Sequence, residues 1–248
     1  MSEKTVTPYK NSKDSKKQQV TKMFDAIAAN YDALNRVISM GIDKKWRKTL
    51  VKMVRQQKPK NILDVATGTG DLALALSQVE QATITGLDIA PEMLAIGKNK
   101  VAALKLENRV DMIVGDAESM PFDDNSKDAV TVAFGVRNFG NLDKGLREIL
   151  RVLKPGGHLY VLETSVPRKF PFKQGYHAYS RMFLPIVGRL FSKDKSAYNY
   201  LSDSAAAFPH SEAFNNILLK NGFSDVQHYP QTFGVVTIYN AKKTKLES

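Results

Sequence analysis

The sequence contains no cysteine and only four histidines in 248 residues. The first absence removes disulfides, thiolate metal ligands and a cysteine nucleophile. The second leaves no close pair that would seed a zinc site, so no metal is expected. Nowhere does the chain approach the roughly 18 uninterrupted apolar residues of a membrane span. Its first residues, MSEKTVTPYKNSKDSKKQQ, lack the apolar stretch of a signal peptide. A cytoplasmic location follows as the expectation. Internal repeats are also absent.

What is present in excess is positive charge, a formal +11. It is uneven: residues 1–60 hold 15 Lys/Arg against 5 Asp/Glu and residues 165–248 hold 11 against 5, while residues 61–164 hold 10 against 15. Basic ends around a slightly acidic middle suit an anionic partner, either nucleic acid or a membrane face. A plainly solvated lysine surface explains the same counts equally well. The 43% hydrophobic content is enough for one packed domain.

Residues 1–15 are polar and read as a mobile tail, leaving 16–248 as a single domain. Val20, Met23, Phe24 and Ile27 fall at helical spacing, and Trp46, Leu50, Val51 and Val54 mark a second helix over 44–57 closed by Pro59. These two form an N-terminal helical segment, 16–58. From Asn61 short apolar runs (62–66, 84–87, 110–114, 129–134, 158–162) alternate with helical stretches (72–79, 91–104, 142–153), the signature of βαβ units. The fold class is α/β, a Rossmann-like doubly wound and mostly parallel sheet. An aromatic and basic segment, 166–207, reads as an inserted helical layer over the substrate site. Ser211 to Asn221 is a further helix with a serine cap and Gly222 at its end. The runs 226–229 and 235–239 predict an antiparallel pair at the sheet edge.

The segment ILDVATGTGD, residues 62–71, sends a strand into Gly68-Thr69-Gly70, where small residues let backbone amides approach a ligand. Gly68, Gly70 and Ala73 also satisfy the relaxed dinucleotide pattern, so the loop alone does not choose a cofactor. Asp64 lies before the glycines; it either favours a cationic ligand end or is a buried loop anchor. Asp88 ends the second strand, with Ile89 next to it, where an acid accepts both ribose hydroxyls. Asp116 and Ala117 follow the third strand, where an acid receives an adenine amino group. Acids at three consecutive strand ends favour a nucleoside ligand over three unrelated turns.

DVATGTGD, LDIA, GDAESMPF and RVLKPGG resemble the class I S-adenosylmethionine methyltransferases. YDALNRVISMGIDKKWR (31–47), AFGVRNF (133–139) and the late YNYLSDSAAAFP look more closely like the menaquinone/ubiquinone C-methyltransferase family, and together these stretches cover nearly the whole chain. The resemblance implies that Thr69, Asp88, Asp116 and Ala117 contact S-adenosylmethionine. Family members often carry a serine at the position of Ala133, so a contact there would be through backbone. The implied reaction methylates a ring carbon of a reduced polyprenyl quinol, either demethylmenaquinol or a 2-methoxy-6-polyprenyl-1,4-benzoquinol.

Four residues are candidates for the chemistry. Arg137 suits a developing phenolate and Asn138 a ring oxygen, at the carboxyl edge of the fourth strand; both also suit loop carbonyls. Asp71 either caps the helix after the glycines or acts as base, and Tyr31 reaches over the pocket from the N-terminal segment. His177 and Tyr200 are further candidates in the insert. Met182, Phe183, Leu184, Ile186, Val187, Leu190 and Phe191 offer a groove for a prenyl tail. Arg168, Lys169, Lys173, Arg181, Arg189, Lys193 and Lys195 offer charge for anionic lipid, so peripheral membrane contact is an expectation beside plain core packing. A homodimer is allowed. A nucleic-acid methyltransferase is disfavoured because the fourth strand ends in AFGVRNF rather than an Asn/Asp-Pro-Pro-aromatic loop. A nicotinamide oxidoreductase is disfavoured because it has no use for Asp116.

Overall fold

The computed structural model describes residues 6–167, 170–179 and 195–245. Helix α1 (Lys16–Ile38) opens on Ser15, whose hydroxyl accepts from the Gln18 N–H while the Gln18 side chain accepts from the Ser15 N–H. This reciprocal cap satisfies two amides that would otherwise be orphaned at the helix start. Within the stretch read as a tail, Val6 and Tyr9 pack against the cluster of Val20, Met23 and Tyr200, and the Tyr9 N–H donates to Gln19 Oε1 at 2.8 Å, while residues 10–13 are exposed. Helix α2 (Asp43–Gln56) follows, buried along Trp46, Leu50, Val51 and Val54 as its spacing requires.

Five parallel strands come next: β1 (Asn61–Val65), β2 (Thr83–Asp88), β3 (Val110–Val114), β4 (Lys127–Ala133) and β5 (Leu153–Thr164). Between them lie α3 (Asp71–Leu76), α4 (Pro91–Ala103) and α5 (Leu142–Val152). Each strand falls on its predicted apolar run. β5 alone starts well before its run, because Leu153 pairs with Lys127 across a register shift that absorbs the Pro-Gly-Gly turn. Helices α6 (Phe172–Ala178) and α7 (Lys195–Ala207) belong to the insert, followed by α8 (Glu212–Lys220). The predicted serine cap of α8 is corrected. Ser211 stands at the cap position with φ +57 and makes no side-chain cap; its N–H donates instead to the Tyr239 hydroxyl at 2.7 Å.

The sheet order is β3-β2-β1-β4-β5-β7-β6, where β6 (Phe223–Gln231) and β7 (Val236–Lys243) are the expected antiparallel pair. β7 inserts between β5 and β6 and runs antiparallel to both. Both faces are covered, one by α2, α3 and α4 around Ile62, Ile84 and Met112, the other by α5 and α8 around Leu63, Val130 and Val161. After β3 the chain crosses to the far side of β1. The carboxyl ends of β1 and β4 therefore form the point where strand order reverses, and there the connections diverge and leave a crevice.

Candidate active site

The turn after β1 holds Ala66 at φ +53, Gly68 at φ +57 and Gly70 at φ +79. Phe134, after β4, is also left-handed at φ +56. Two non-glycine residues in this sparsely populated region on neighbouring strands are strain of the kind that gathers at binding sites. Gly70 has a second reason to lack a side chain, since an added Cβ would come within 2.3 Å of Met112 Cε.

These turns line a cleft of about 80 Å³ bounded by Gly68, Asp88, Ile89, Asp116, Ala117, Ala133, Phe134 and Asn138. Six of the nine predicted cofactor residues meet here. Asp88 accepts from the Gly68 N–H at 2.7 Å and from the Ala90 N–H at 2.9 Å, tying the glycine turn to the end of β2. Burial raises its pKa against those hydrogen bonds. With about four acceptor positions between its two oxygens, the carboxylate retains capacity for a hydroxyl donor. Asp116 accepts from the Glu118 N–H at 2.9 Å and pairs with Lys17 Nζ at 2.6 Å.

Asp64, Thr69 and Gly70 do not line the cleft. Asp64 is 1% exposed and accepts from the Thr131 and Thr67 hydroxyls, each at 2.6 Å. Burial pushes its pKa up to about 6 in spite of those donors. Of its two sequence readings, the loop anchor is the one this geometry supplies. Thr69 is also engaged inside the protein, donating to Asp32 at 2.6 Å and accepting from Lys100 at 3.1 Å.

A second cavity of about 730 Å³ adjoins the first, bounded by Trp46, Phe134, Phe172, Tyr176, Phe233 and Val236 among others. Tyr31 and Phe134 line both spaces and form the wall between them. Burial raises the Tyr31 pKa, opposed by Asn35 and the nearby Arg137 and Arg47 cations. Arg137 and Arg47 both face the larger cavity. Asn138, one residue on, faces the cleft instead; its Nδ2 donates to the Phe134 carbonyl at 3.3 Å and its Oδ1 accepts from Tyr200 at 3.1 Å. The 3₁₀ turn Val136–Asn138 thus sends the two predicted side chains to opposite sides of the wall.

Asp71 neither caps α3, whose N-cap is Gly70, nor has a free oxygen. Lys100 Nζ lies 2.8 Å from one oxygen and Arg36 Nη2 lies 2.9 Å from the other, with Arg47 at 3.9 Å. Burial opposes ionisation here, but Lys100, Arg47 and Arg36 hold its pKa below the usual range. Arg36 and Arg47 also pair with the buried Asp43, so one ionic cluster binds α1, α2, α3 and α4 together. Sequence reasoning missed Lys17, Arg36, Asp43, Lys100 and Glu163. All five lie far from the glycine loop in the chain, and only their identity as charged residues was visible.

The groove residues 182–191 and the basic residues Arg168, Lys169, Arg181, Arg189 and Lys193 lie outside the described residues. Among the described residues no group of acids and histidines could hold a metal ion, and no helix is long and apolar enough to cross a membrane.

The ubiE/COQ5 methyltransferase family model matches residues 12–243. A demethylmenaquinone methyltransferase of Bacteroides fragilis is 45% identical over 239 residues, covering 96% of this chain and 97% of that protein. The ubiquinone/menaquinone biosynthesis C-methyltransferase UbiE of Geotalea daltonii is 46% identical over 230 residues, covering 92% and 97%. Among solved structures, a putative S-adenosylmethionine-dependent methyltransferase from Methanococcus maripaludis superposes with a TM-score of 0.64 at 21% identity, covering 96% of this chain and 98% of that one. A Thermotoga maritima structure described as a possible histamine N-methyltransferase gives 0.64 at 17% identity, covering 91% and 100%. At these identities the structures speak for the fold alone.

Proposed function

The chain belongs to the ubiE/COQ5 methyltransferase family, and from that membership we propose that it methylates a ring carbon of reduced demethylmenaquinol to give menaquinol. It is an S-adenosylmethionine-dependent methyltransferase of quinone biosynthesis. The finer substrate reading rests on one observation, an apolar cavity of about 730 Å³ separated by Tyr31 and Phe134 from a cleft that carries carboxylates at two strand ends. The benzoquinol of ubiquinone synthesis is the alternative ring for the same cavity.

The cleft fits the cofactor by its donor and acceptor set. Asp88 would take the ribose hydroxyls and Asp116 the adenine amino group, with Ile89 and Ala117 against the base. When bound, S-adenosylmethionine supplies an electrophilic methyl group on a sulfonium. The chain's own part is alignment, exclusion of water and charge. Only an electron-rich ring carbon attacks such a methyl group, so the quinol must be reduced, and ionising one hydroxyl enriches the carbon further. Arg137 and Arg47, both facing the cavity, favour that ionised oxygen. Asp71 we assign as an anchor of the ionic cluster rather than the base, since both its oxygens are committed.

Entry of a prenylated ring calls for an apolar mouth. Met40, Phe172 and Phe233 line the cavity yet are 68%, 39% and 70% exposed, and Phe170, two residues away, is 79% exposed. Phe172 and Phe233 stack at 3.9 Å between centroids. Exposed Lys173 adjoins Phe172 in the chain, and exposed Lys44 and Lys45 follow Met40 within about one helical turn. We read this rim as a peripheral contact with anionic membrane, made from the cytoplasmic side. The mass in solution by light scattering tests the homodimer that the sequence allows.

The deciding experiment incubates the protein with methyl-labelled S-adenosylmethionine, demethylmenaquinol in detergent and total RNA. Label is expected in the organic fraction and is expected to vanish when the quinol is kept oxidised. Label in RNA would overturn the substrate assignment.

A further inference from the structure

Among the described residues, Arg137 has one carboxylate beside it. Glu163, near the end of β5, is 0% exposed, and its Oε1 accepts from Arg137 Nη1 at 2.5 Å, from the Thr164 N–H at 2.8 Å and from the Thr164 hydroxyl at 3.1 Å. Its other oxygen, Oε2, is buried without a partner among the described residues, as is Arg137 Nε. Arg137 Nη1 also donates to the Phe134 carbonyl at 2.9 Å. One nitrogen of the guanidinium is therefore fixed twice, while no hydrogen bond engages Nη2 among the described residues, and the side chain lines the substrate cavity.

A buried guanidinium beside a buried carboxylate commonly forms two parallel hydrogen bonds. Here one is made and the complementary donor and acceptor are left over. A structural ion pair gains nothing from that arrangement, because each unmet buried group carries a desolvation cost. The arrangement is intelligible if orientation is what matters, since the Oε1 contact and the Phe134 carbonyl together set the plane of the guanidinium. Resting on the quinol reading above, we propose that Glu163 is the positioning residue of the methyl transfer: it holds Arg137 so that the open face of the guanidinium meets the ring oxygen that becomes anionic. Glu163 itself does not line the cavity and does not touch substrate. Its effect passes through Arg137.

The test is a double-substitution cycle with demethylmenaquinol, using S-adenosylmethionine affinity by calorimetry as the control for folding. Glu163→Gln keeps the shape but removes the charge that aligns Arg137. Its kcat is expected to fall about a hundredfold, with the KM for quinol within about twofold and cofactor affinity unchanged, the signature of an interaction realised in the transition state. Glu163→Asp, which keeps the charge, recovers part of the loss. In an Arg137→Gln background, adding Glu163→Gln is expected to cost less than about twofold further, because residues acting as a unit are non-additive. That pair leaves no unpaired buried charge, so the comparison stands even if the single Glu163→Gln protein folds poorly. A fully active Glu163→Gln protein overturns the inference, as does an undiminished loss in the Arg137→Gln background. A wild-type protein inactive on every quinol removes the parent reading and this inference with it.

Discussion

Asp64 and Asp88 sit on neighbouring parallel strands and look alike in sequence, yet their surroundings divide their work. Asp88 faces the cleft and braces the glycine turn through backbone amides, while Asp64 is sealed below it between two threonine hydroxyls. Burial raises the Asp64 pKa from 3.8 to about 6. A carboxyl group with a raised folded-state pKa binds its proton more tightly in the folded chain. Its contribution to stability is full below the unfolded value near 3.8 and is lost as pH rises to about 6. Comparing thermal melts of wild type and Asp64→Asn across pH 4 to 7 isolates this. The wild type should lose about 3 kcal/mol relative to the variant over that window, and parallel curves would refute it. Arg137→Lys removes the planar fork but keeps the charge. It should lower kcat by about a hundredfold while leaving cofactor affinity intact, as steady-state kinetics and calorimetry will read.

At the scale of elements, α1 stands out as a strap across the proposed cofactor cleft rather than the simple amphipathic helix its spacing describes. Lys16 donates to the carbonyls of Arg137 and Phe139 at 3.0 and 2.8 Å, Lys17 pairs with Asp116, and Asp32 pairs with Lys100 at 2.5 Å. Lys17, Val20 and Phe24 of α1 line this cleft beside Asp88 and Asp116. With Asp116 proposed to take the adenine amino group, Lys17 is the competitor for that carboxylate. The Lys17–Asp116 pair is about a third exposed on both sides and so contributes no more than about 1 kcal/mol. Lys17→Met should therefore tighten S-adenosylmethionine binding by no more than about fivefold. Weaker binding in a calorimetric titration would show instead that Lys17 contacts the cofactor.

Over the whole molecule, a net charge of +11 and an exposed apolar rim around one cavity combine into a testable surface. Isolated exposed aromatics are ordinary, whereas several on the mouth of one cavity mark an interaction site. Phe170→Ser combined with Phe233→Ser should abolish flotation with vesicles containing anionic lipid, and should raise the KM for vesicle-borne quinol more than that for detergent-dispersed quinol. Equal flotation of the double variant would remove the rim from the membrane reading.

Hydrophobic period and punctuation were enough to determine the order of strands and helices, the parallel core and the antiparallel edge pair, because these depend on local spacing and on which faces must be buried. Strand-end acids were legible for the same reason: a carboxylate that ends a parallel strand is carried to the switch-point edge whatever the rest of the chain does. The sequence could not show that Asp64 turns inward, that Arg137 and Asn138 part around a wall made by Tyr31 and Phe134, that Lys17 lines the cleft, or that Lys100 and Glu163 pair with Asp71 and Arg137. Those outcomes depend on which side chains α1, α4 and β5 bring within a few ångströms of residues 26 to 123 positions away. Such neighbours leave no periodic trace in the chain and are decided only when the layers pack.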